Sequence, residues 1–279
     1  MASKVRTCIN SEIGKLEAVL IHTPGSELEN MTPDNAERSL YSDILNLQIA
    51  LKEFRQLKGV LNVVSSTFEV KNLLQEILEN KDVRTGLVKD VCSLEGVPDA
   101  QSLLLSSEAD LLARQLIEGV ALEKNTLTRY LSNERFLLKP LHNLFFTRDA
   151  AMGMNENILI GKMASGVRKR ESLIMKAIFK YHPLFEASII DPMHTSVGGL
   201  PNESVSIEGG DFLVAKEDVF IVGAGIRTST QGIDFLIENL QNRKNGVYQV
   251  IVQELPSSPE SFIHLDMVFT ILDVDTCMV

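Results

Sequence analysis

Short apolar runs and helically spaced apolar residues alternate in the first part of the chain. Residues 16–22 are mostly apolar and predict a buried strand, and the Thr23-Pro24-Gly25 sequence after it predicts a turn. Apolar residues at helical spacing then predict a helix over residues 40–57, and residues 60–64 predict a second strand. This order of strand, turn, helix and strand is typical of an α/β unit.

The pattern changes at about residue 68. Residues 68–137 are rich in Leu, Glu, Lys and Arg, and their apolar positions recur at the spacing of amphipathic helices. Examples are Leu73, Leu74, Ile77 and Leu78, followed by Leu111, Leu112, Leu116 and Ile117. The sequence therefore predicts a helical domain at 68–137, inserted into an α/β domain made of residues 1–67 and 138–279.

Strands return after residue 138, separated by turns and two amphipathic helices. The predicted strands are 156–160, 187–190, 204–208, 211–214, 219–222, 250–252 and 267–272, and the predicted helices are 168–180 and 232–241. The fold class predicted from these elements is α/β.

Net charge and composition limit the partners. The formal net charge is −10, from 37 acidic and 27 basic residues, so phosphate-rich nucleic acid and anionic lipid are disfavoured as partners. No apolar run approaches the ~18 residues of a membrane span, and residues 1–15 lack the apolar core of a signal peptide. We expect a cytoplasmic protein. Cys8, Cys92 and Cys277 are odd in number and widely spaced, which favours neither a disulfide framework nor a zinc site.

Two acidic motifs follow apolar segments. Asp149 ends an aromatic stretch, where it could bind a cation, cap a turn or pair with Arg148. Glu208 and Asp211 flank a Gly pair between two apolar segments, where the absence of Cβ atoms lets a ligand approach the backbone. A hairpin turn is the alternative interpretation of that Gly pair.

Two further motifs carry a histidine and an arginine. A strand beginning near residue 263 would place His264 and Asp266 on one face, roughly 6–7 Å apart. Such a pair could act as an acid–base group, hold a metal, or be structural. Arg227 follows an apolar strand and could hold a carboxylate in two hydrogen bonds, or could lie on the surface. Together the four motifs suit a ligand with a flat cation at one end and a carboxylate at the other, as in arginine.

These motifs also resemble those of one enzyme family. The blocks Ile9-Asn10-Ser11-Glu12-Ile13-Gly14-Lys15-Leu16, His22-Thr23-Pro24-Gly25, Phe146-Thr147-Arg148-Asp149, Glu208-Gly209-Gly210-Asp211 and His264-Leu265-Asp266 resemble the arginine deiminases, members of the pentein superfamily that modifies guanidino groups. The resemblance implies a five-bladed α/β propeller with an inserted helical domain. It also implies hydrolysis of L-arginine to L-citrulline and ammonia through a Cys thiolate, without a metal or organic cofactor, and a possible homo-oligomer.

The resemblance assigns four catalytic residues. By analogy Asp149 and Asp266 bind the guanidinium nitrogens, and Glu208 contacts the guanidinium and steadies the histidine. His264 protonates the departing ammonia and then activates water.

The resemblance also implies substrate-binding residues. Arg227 and Arg168 correspond to residues that hold the substrate carboxylate, Asn143 and Phe146 to residues that line the pocket, and Asp211 to a supporting residue.

The family nucleophile is a Cys in a Gly-rich stretch well beyond the His motif, and none of the three cysteines here matches it. We therefore expect a C-terminally truncated, incomplete propeller that has no appreciable turnover by itself.

Three other functions remain open from the sequence. His264, Asp266, Asp273 and Asp275 could be the ligands of a metal-dependent amidino hydrolase. A non-catalytic arginine-binding or scaffold protein would need no nucleophile. An agmatine deiminase or an amidinotransferase would share the guanidino site, although Arg227 favours a ligand with a free carboxylate over agmatine.

Overall fold

Helices and strands alternate in the protein, which confirms the predicted α/β class. The computed structural model describes residues 4–31, 44–193, 205–242 and 246–279. The strands are β1 (Val5–Arg6), β2 (Ala18–Ile21), β3 (Ser66–Glu69), β4 (Val120–Ala121), β5 (Phe136–Leu138), β6 (Ala151–Met154), β7 (Asn157–Ile160), β8 (Phe185–Glu186), β9 (Ser188–Ile190), β10 (Phe212–Lys216), β11 (Val219–Ala224), β12 (Gln249–Glu254), β13 (Thr270–Asp273) and β14 (Thr276–Met278). The α-helices are α1 (Ser26–Glu29), α2 (Leu47–Val64), α3 (Val70–Leu78), α4 (Lys81–Glu95), α5 (Ala100–Ser106), α6 (Ala109–Glu118), α7 (Leu127–Leu131), α8 (Thr147–Ala150), α9 (Lys169–Tyr181) and α10 (Thr230–Gln241).

Backbone contacts divide the chain into two compact units. The strand unit comprises Met1–Lys15, Arg148–Gly166 and Pro183–Val279, and the helical unit comprises Leu16–Thr147 and Val167–His182. These bounds differ from those of the predicted propeller and inserted domain, whose division of the chain stays a prediction.

In the helical unit, β2 and β3 pair in parallel and α2 connects them in sequence. Asn46 caps α2 by accepting hydrogen bonds from the amides of Gln48 and Ile49. The predicted strand at 60–64 is wrong, because these residues form the last turns of α2. Their valines favour strands in general, but the helical bonding continues to Ser65, whose amide donates to the Leu61 carbonyl. Of the predicted helix 40–57, residues 40–43 lie outside the described residues.

The amphipathic helices predicted after residue 68 are present as α3 to α6. Leu73, Leu74, Ile77, Leu78, Leu112, Leu116 and Ile117 are buried, whereas Leu111 is exposed. No helix in the described ranges is long and apolar enough to cross a membrane.

The strand unit contains a repeated arrangement of strands. β6 and β7 are antiparallel and β9 pairs in parallel with β7, while β10 and β11 are antiparallel and β12 pairs in parallel with β11. In both cases a helix precedes the last strand in sequence, as a parallel return requires. A third antiparallel pair, β13 and β14, follows. The predicted strand 204–208 is wrong within the described residues: Ile207 forms an isolated bridge with Lys162, and Ser204 lies outside them.

A large apolar cluster is buried within the strand unit. Its buried members are Met152, Met154, Leu159, Val205, Ile207, Phe212, Val214, Phe220, Val222, Ile233, Phe235, Leu236 and Leu240. Helix α10 packs its apolar face against this cluster. Ser229, the residue just before α10, also holds the Ser206 backbone through a hydrogen bond.

Ser229→Ala is expected to destabilise the protein by about 1 kcal/mol, because a helix N-cap is lost. The Ser229 hydroxyl oxygen accepts from the Gly232 amide at 3.1 Å and from the Ser206 amide at 3.0 Å. Thr230→Ala, at the exposed next position, is the matched control. Urea denaturation of both variants measures the difference, and equal stability of the two would contradict the cap assignment.

Candidate active site

Three single helical turns carry the predicted acid–base residues. Helix α8 precedes β6, a 3-10 turn at Gly209–Asp211 precedes β10, and a 3-10 turn at Leu265–Met267 precedes β13. Glu208 and His264 each occupy the extended position just before a 3-10 turn, and Asp149 lies in α8. Each of the strand pairs β6–β7, β10–β11 and β13–β14 therefore contributes one residue from the segment just before its first strand. These residues form one site within the strand unit.

Glu208 is the centre of this site. It is completely buried. Its Oε2 lies 3.1 Å from His264 Nε2, and its Oε1 accepts a hydrogen bond from the Ala164 amide at 2.9 Å. Its own amide donates to Thr228 Oγ1 at 3.1 Å. A carboxylate held by the Ala164 amide at one oxygen and by the His264 ring at the other keeps one orientation, as a group that orients an imidazole must.

The Gly209-Gly210 pair lets other parts of the protein approach the turn. A Cβ on Gly209 would collide with the Arg148 carbonyl oxygen, and one on Gly210 would lie 2.7 Å from His264 Cγ. The Gly210 amide donates to Asp149 Oδ1 at 3.1 Å. The hairpin-turn interpretation is wrong, since these residues form a 3-10 turn that leads into β10.

The expected strand beginning near residue 263 is also wrong. Leu265–Met267 is a 3-10 turn and β13 begins only at Thr270, so strand alternation does not relate His264 to Asp266. His264 is buried and Asp266 is exposed. Alternating apolar and polar residues cannot distinguish a short turn from the start of a strand.

Asp211 is buried behind this turn. Its Oδ1 accepts a hydrogen bond from the Leu265 amide at 2.9 Å, which ties the two 3-10 turns together. Burial raises the pKa of Asp211 to about 6, although His264, the hydroxyl of Thr228 and the Leu265 amide oppose the shift.

His264 responds to the surrounding carboxylates. Burial lowers its pKa, but the hydrogen bond to Glu208 and the charges of Asp149, Asp211 and Glu208 outweigh burial, so the pKa lies above its ordinary value. Partial desolvation of the Asp266 carboxylate raises its pKa as well; the charge of His264 opposes this shift and that of Asp149 adds to it. These shifts are those of a site with more negative than positive charge.

Arg227 lies beside Glu208 and not on the surface. A turn closed by the Gly225 amide and the Thr228 carbonyl, 2.9 Å apart, holds Arg227 between β11 and α10. Arg227 is buried, and its Nη1 lies 3.9 Å from Glu208 Oε1. The strand unit thus brings together Asp149, Glu208, Asp211, Arg227 and His264.

The other three predicted binding residues belong to the helical unit. Arg168 is buried in an ion pair with Glu171, with Nε and Nη2 at 3.1 and 2.8 Å from Glu171 Oε2. Its Nη2 also donates to the Asn143 carbonyl at 3.5 Å, and Phe146 is half exposed. Their roles in binding stay predictions. Glu171 was not predicted, although its position three residues after Arg168 on a helix is an ordinary signal for an ion pair.

Three of the site residues could also hold a divalent cation. One ligand atom each from Asp149, Glu208 and His264 lie within 4.8 Å of one another, and all three residues are buried. This set differs from the one suggested by the sequence, because Asp273 and Asp275 are exposed on β13 and in the turn after it.

The three cysteines lie in different settings. Cys92 is buried in α4, and burial raises the pKa of its thiol, which suppresses the reactive thiolate. Cys8 and Cys277 are exposed, and Cys277 is in β14 opposite Ile271.

Comparison with known proteins identifies the relatives of this chain. The family model for arginine deiminase matches residues 38–279. The arginine deiminase of Bacillus cytotoxicus is 35% identical over 282 residues, which cover 96% of this chain and 67% of that protein. The arginine deiminase of Streptococcus pyogenes serotype M49 is 32% identical over 292 residues, which cover 99% of this chain and 70% of that protein. The chain spans about two thirds of the length of these curated relatives. A crystal structure of a dimethylarginine dimethylaminohydrolase adduct is similar at 12% identity, with a TM-score of 0.49, covering 94% of this chain and 68% of that one.

These relatives are hydrolases that act on carbon–nitrogen bonds. The chain belongs to the arginine deiminase family, as the extent of the family match and the identity to its members show. The resemblance stated from the sequence motifs is thereby confirmed.

Proposed function

We propose that the strand unit binds the guanidinium group of L-arginine, and that the parent activity is hydrolysis of L-arginine to L-citrulline and ammonia. The observation that carries the proposal is the charge of the site: Asp149, Glu208 and Asp211 surround His264, with Arg227 as the nearby cation. A guanidinium remains protonated at physiological pH and offers five donors, so it complements an excess of carboxylates.

The residues have separate roles in this proposal. Asp149, Glu208 and Asp266 accept hydrogen bonds from the guanidinium nitrogens. Arg227 holds the carboxylate at the other end of the ligand in a two-pronged contact. His264, kept in one orientation by Glu208, gives a proton to the departing ammonia and then takes one from the attacking water. Asn143, Phe146 and Arg168 are proposed as further binding residues, and no metal or organic cofactor takes part.

Hydrolysis in this proposal also needs a thiolate that attacks the guanidinium carbon. We propose that none of Cys8, Cys92 and Cys277 takes this role, so that the 279-residue chain binds arginine without turnover. The raised pKa of the buried Cys92 thiol supports this for one of the three. Citrulline release by the purified chain would contradict it, and single Cys→Ser variants would then identify the nucleophile.

The proposed fold of the whole is a five-bladed α/β propeller, of which this chain forms a part, with the helical segment 68–137 inserted. Strands β6, β7 and β9 with helix α9, and strands β10, β11 and β12 with helix α10, repeat one arrangement, in which an antiparallel pair and a helix are followed by a strand parallel to the second one. This repetition supports a blade as the repeating element.

Arginine binding is expected to release protons and to tighten as the pH rises through about 6, the range in which Asp211 ionises. A bound guanidinium lowers the pKa of the carboxyl groups around it and disfavours protonated His264. Calorimetric titration with arginine in buffers of different ionisation enthalpy measures the proton count. Binding that weakens with rising pH, or no binding at all, would contradict the proposal.

Two comparisons separate the alternatives. Agmatine lacks the carboxylate, so Arg227→Gln is expected to weaken arginine binding and not to weaken agmatine binding if Arg227 acts as proposed. The cluster of Asp149, Glu208 and His264 makes a metal-dependent hydrolase the second candidate. Activity that appears only with added Mn²⁺ and is abolished by EDTA would favour that candidate.

A further inference from the structure

Arg148 forms four hydrogen bonds that connect distant parts of the strand unit. Its Nε donates to the Gly209 carbonyl at 3.0 Å, and its Nη2 donates to the Phe212 carbonyl at 2.6 Å. Its Nη1 and Nη2 also donate to the two carboxylate oxygens of Glu12, at 3.2 and 2.8 Å. The interpretation of Arg148 and Asp149 as a surface pair is therefore wrong, because Glu12 and the two carbonyls are the partners of Arg148.

The two carbonyls lie at the two ends of one turn. Gly209 begins the 3-10 turn that follows Glu208, and Phe212 ends it. Asp149, the next residue after Arg148, accepts a hydrogen bond from the Gly210 amide in the middle of the same turn. Arg148 thus holds the turn with two hydrogen-bond donors, and Asp149 holds it with one acceptor.

Glu12 is in turn held by β10. Its Oε1 accepts from the Val214 amide at 2.9 Å, and its own amide donates to the Val214 carbonyl at 2.9 Å. Glu12 is therefore fixed against the strand that begins where the turn ends. It presents both carboxylate oxygens to the fork of the Arg148 guanidinium, a geometry that a Lys ammonium cannot reproduce.

We propose that Arg148, held by Glu12, is a positioning residue that fixes the turn from Glu208 to Phe212 and thereby sets Asp149 and Glu208 against His264. The side chain of Arg148 is 42% exposed and that of Glu12 is 18% exposed. An ion pair this open to solvent contributes little through attraction alone. Its effect comes from geometry, since four of the five guanidinium donors are aligned with fixed acceptors.

The inference rests on the proposed function only in that the positioned groups are those proposed to hold guanidinium. Its test uses the full chain and does not depend on any ligand. Arg148→Lys keeps the charge and removes the fork. Arg6→Lys is the matched control, because Arg6 forms an exposed ion pair with Glu156 in the same unit.

The decisive measurement is the imidazole titration of His264 by NMR, assigned among the five histidines by the signal lost in His264→Gln. Arg148→Lys is expected to lower the His264 pKa toward its ordinary value, because the carboxylates that raise it are no longer held in place. Arginine affinity is expected to fall about tenfold, the equivalent of one charge-assisted hydrogen bond. Arg6→Lys is expected to leave both unchanged.

An unchanged His264 pKa in folded Arg148→Lys would overturn the proposal, whatever happens to the melting temperature or the affinity. If Arg148→Lys does not fold, Glu12→Gln decides, because Gln can still accept from the Val214 amide while the amide nitrogen that replaces Oε2 cannot accept from Arg148 Nη1. It is expected to lower the His264 pKa by a smaller amount, and a parent-like titration would overturn the proposal. A parent chain that binds no arginine would count against the proposed function alone.

Discussion

Glu208→Ala is expected to destabilise the protein by about 3–5 kcal/mol, the range found when one partner of a buried charged pair is removed. Glu208 is completely buried, and its removal leaves the buried His264 and Arg227 without their shared carboxylate. Glu217→Ala is the control, because Glu217 is an exposed acid between β10 and β11 of the same unit. Denaturant unfolding at neutral pH measures both variants, and equal stability would show that Glu208 is not the centre of a coupled site.

Glu208→Gln separates the charge of this residue from its shape. The pKa of His264 is raised in the folded protein, so its contribution to stability is present below the unfolded pKa and is lost as pH rises through the folded value. In Glu208→Gln this loss is expected to shrink, because the negative charge of Glu208, one of the causes that raise the His264 pKa, is removed. A stability curve that falls across this range as steeply as in the parent would show that the charge of Glu208 does not raise the His264 pKa.

The sequence predicted elements well where the apolar pattern fitted a single kind of element. Helix α9 and helix α10 follow from their apolar stripes, and strands β10 and β11 from short apolar runs. The prediction failed at 60–64, where valines that favour strands extend a helix beyond its predicted end. Local propensity is a weak signal there, because the hydrogen bonds of a capped helix decide the conformation.

The candidate site shows a different limit. Each motif could be found in the sequence, and the family resemblance supplied the roles, but nothing local indicates that His264 would contact Glu208, 56 positions away. The contact of Arg148 with Glu12, 136 positions away, was missed entirely. The available signal was an acid within the Ser11-Glu12-Ile13-Gly14 block and an arginine directly before the site aspartate. Such pairings depend on which strand pairs become neighbours, and that is decided by tertiary packing.

Asp211→Asn is expected to stabilise the protein at neutral pH, on the order of 1–3 kcal/mol from the size of its pKa shift. Burial raises the pKa of Asp211 from 3.8 to about 6, so the folded state binds the proton more tightly than the unfolded state. Stability therefore falls as pH rises from about 4 to about 6, and the loss persists above that range. Asn avoids this loss while its Oδ1 still accepts from the Leu265 amide. Near the lower end of this range the variant and the parent are expected to be equally stable.

The control is Asp273→Asn, which removes an exposed carboxylate from β13 and is expected to change neither the stability nor its pH dependence. An Asp211→Asn variant that is less stable than the parent at neutral pH would mean that the ionised form is needed to hold the Leu265 turn.

The expected gain in stability has a counterpart in ligand binding. Removing this charge is expected to lower the pKa of His264, because Asp211 is one of the charges that raise it. It is also expected to weaken arginine binding, because the site loses one of the negative charges that offset the guanidinium. A gain in stability together with a loss of affinity would mean that the buried carboxylate is kept for the cationic ligand at the expense of the fold.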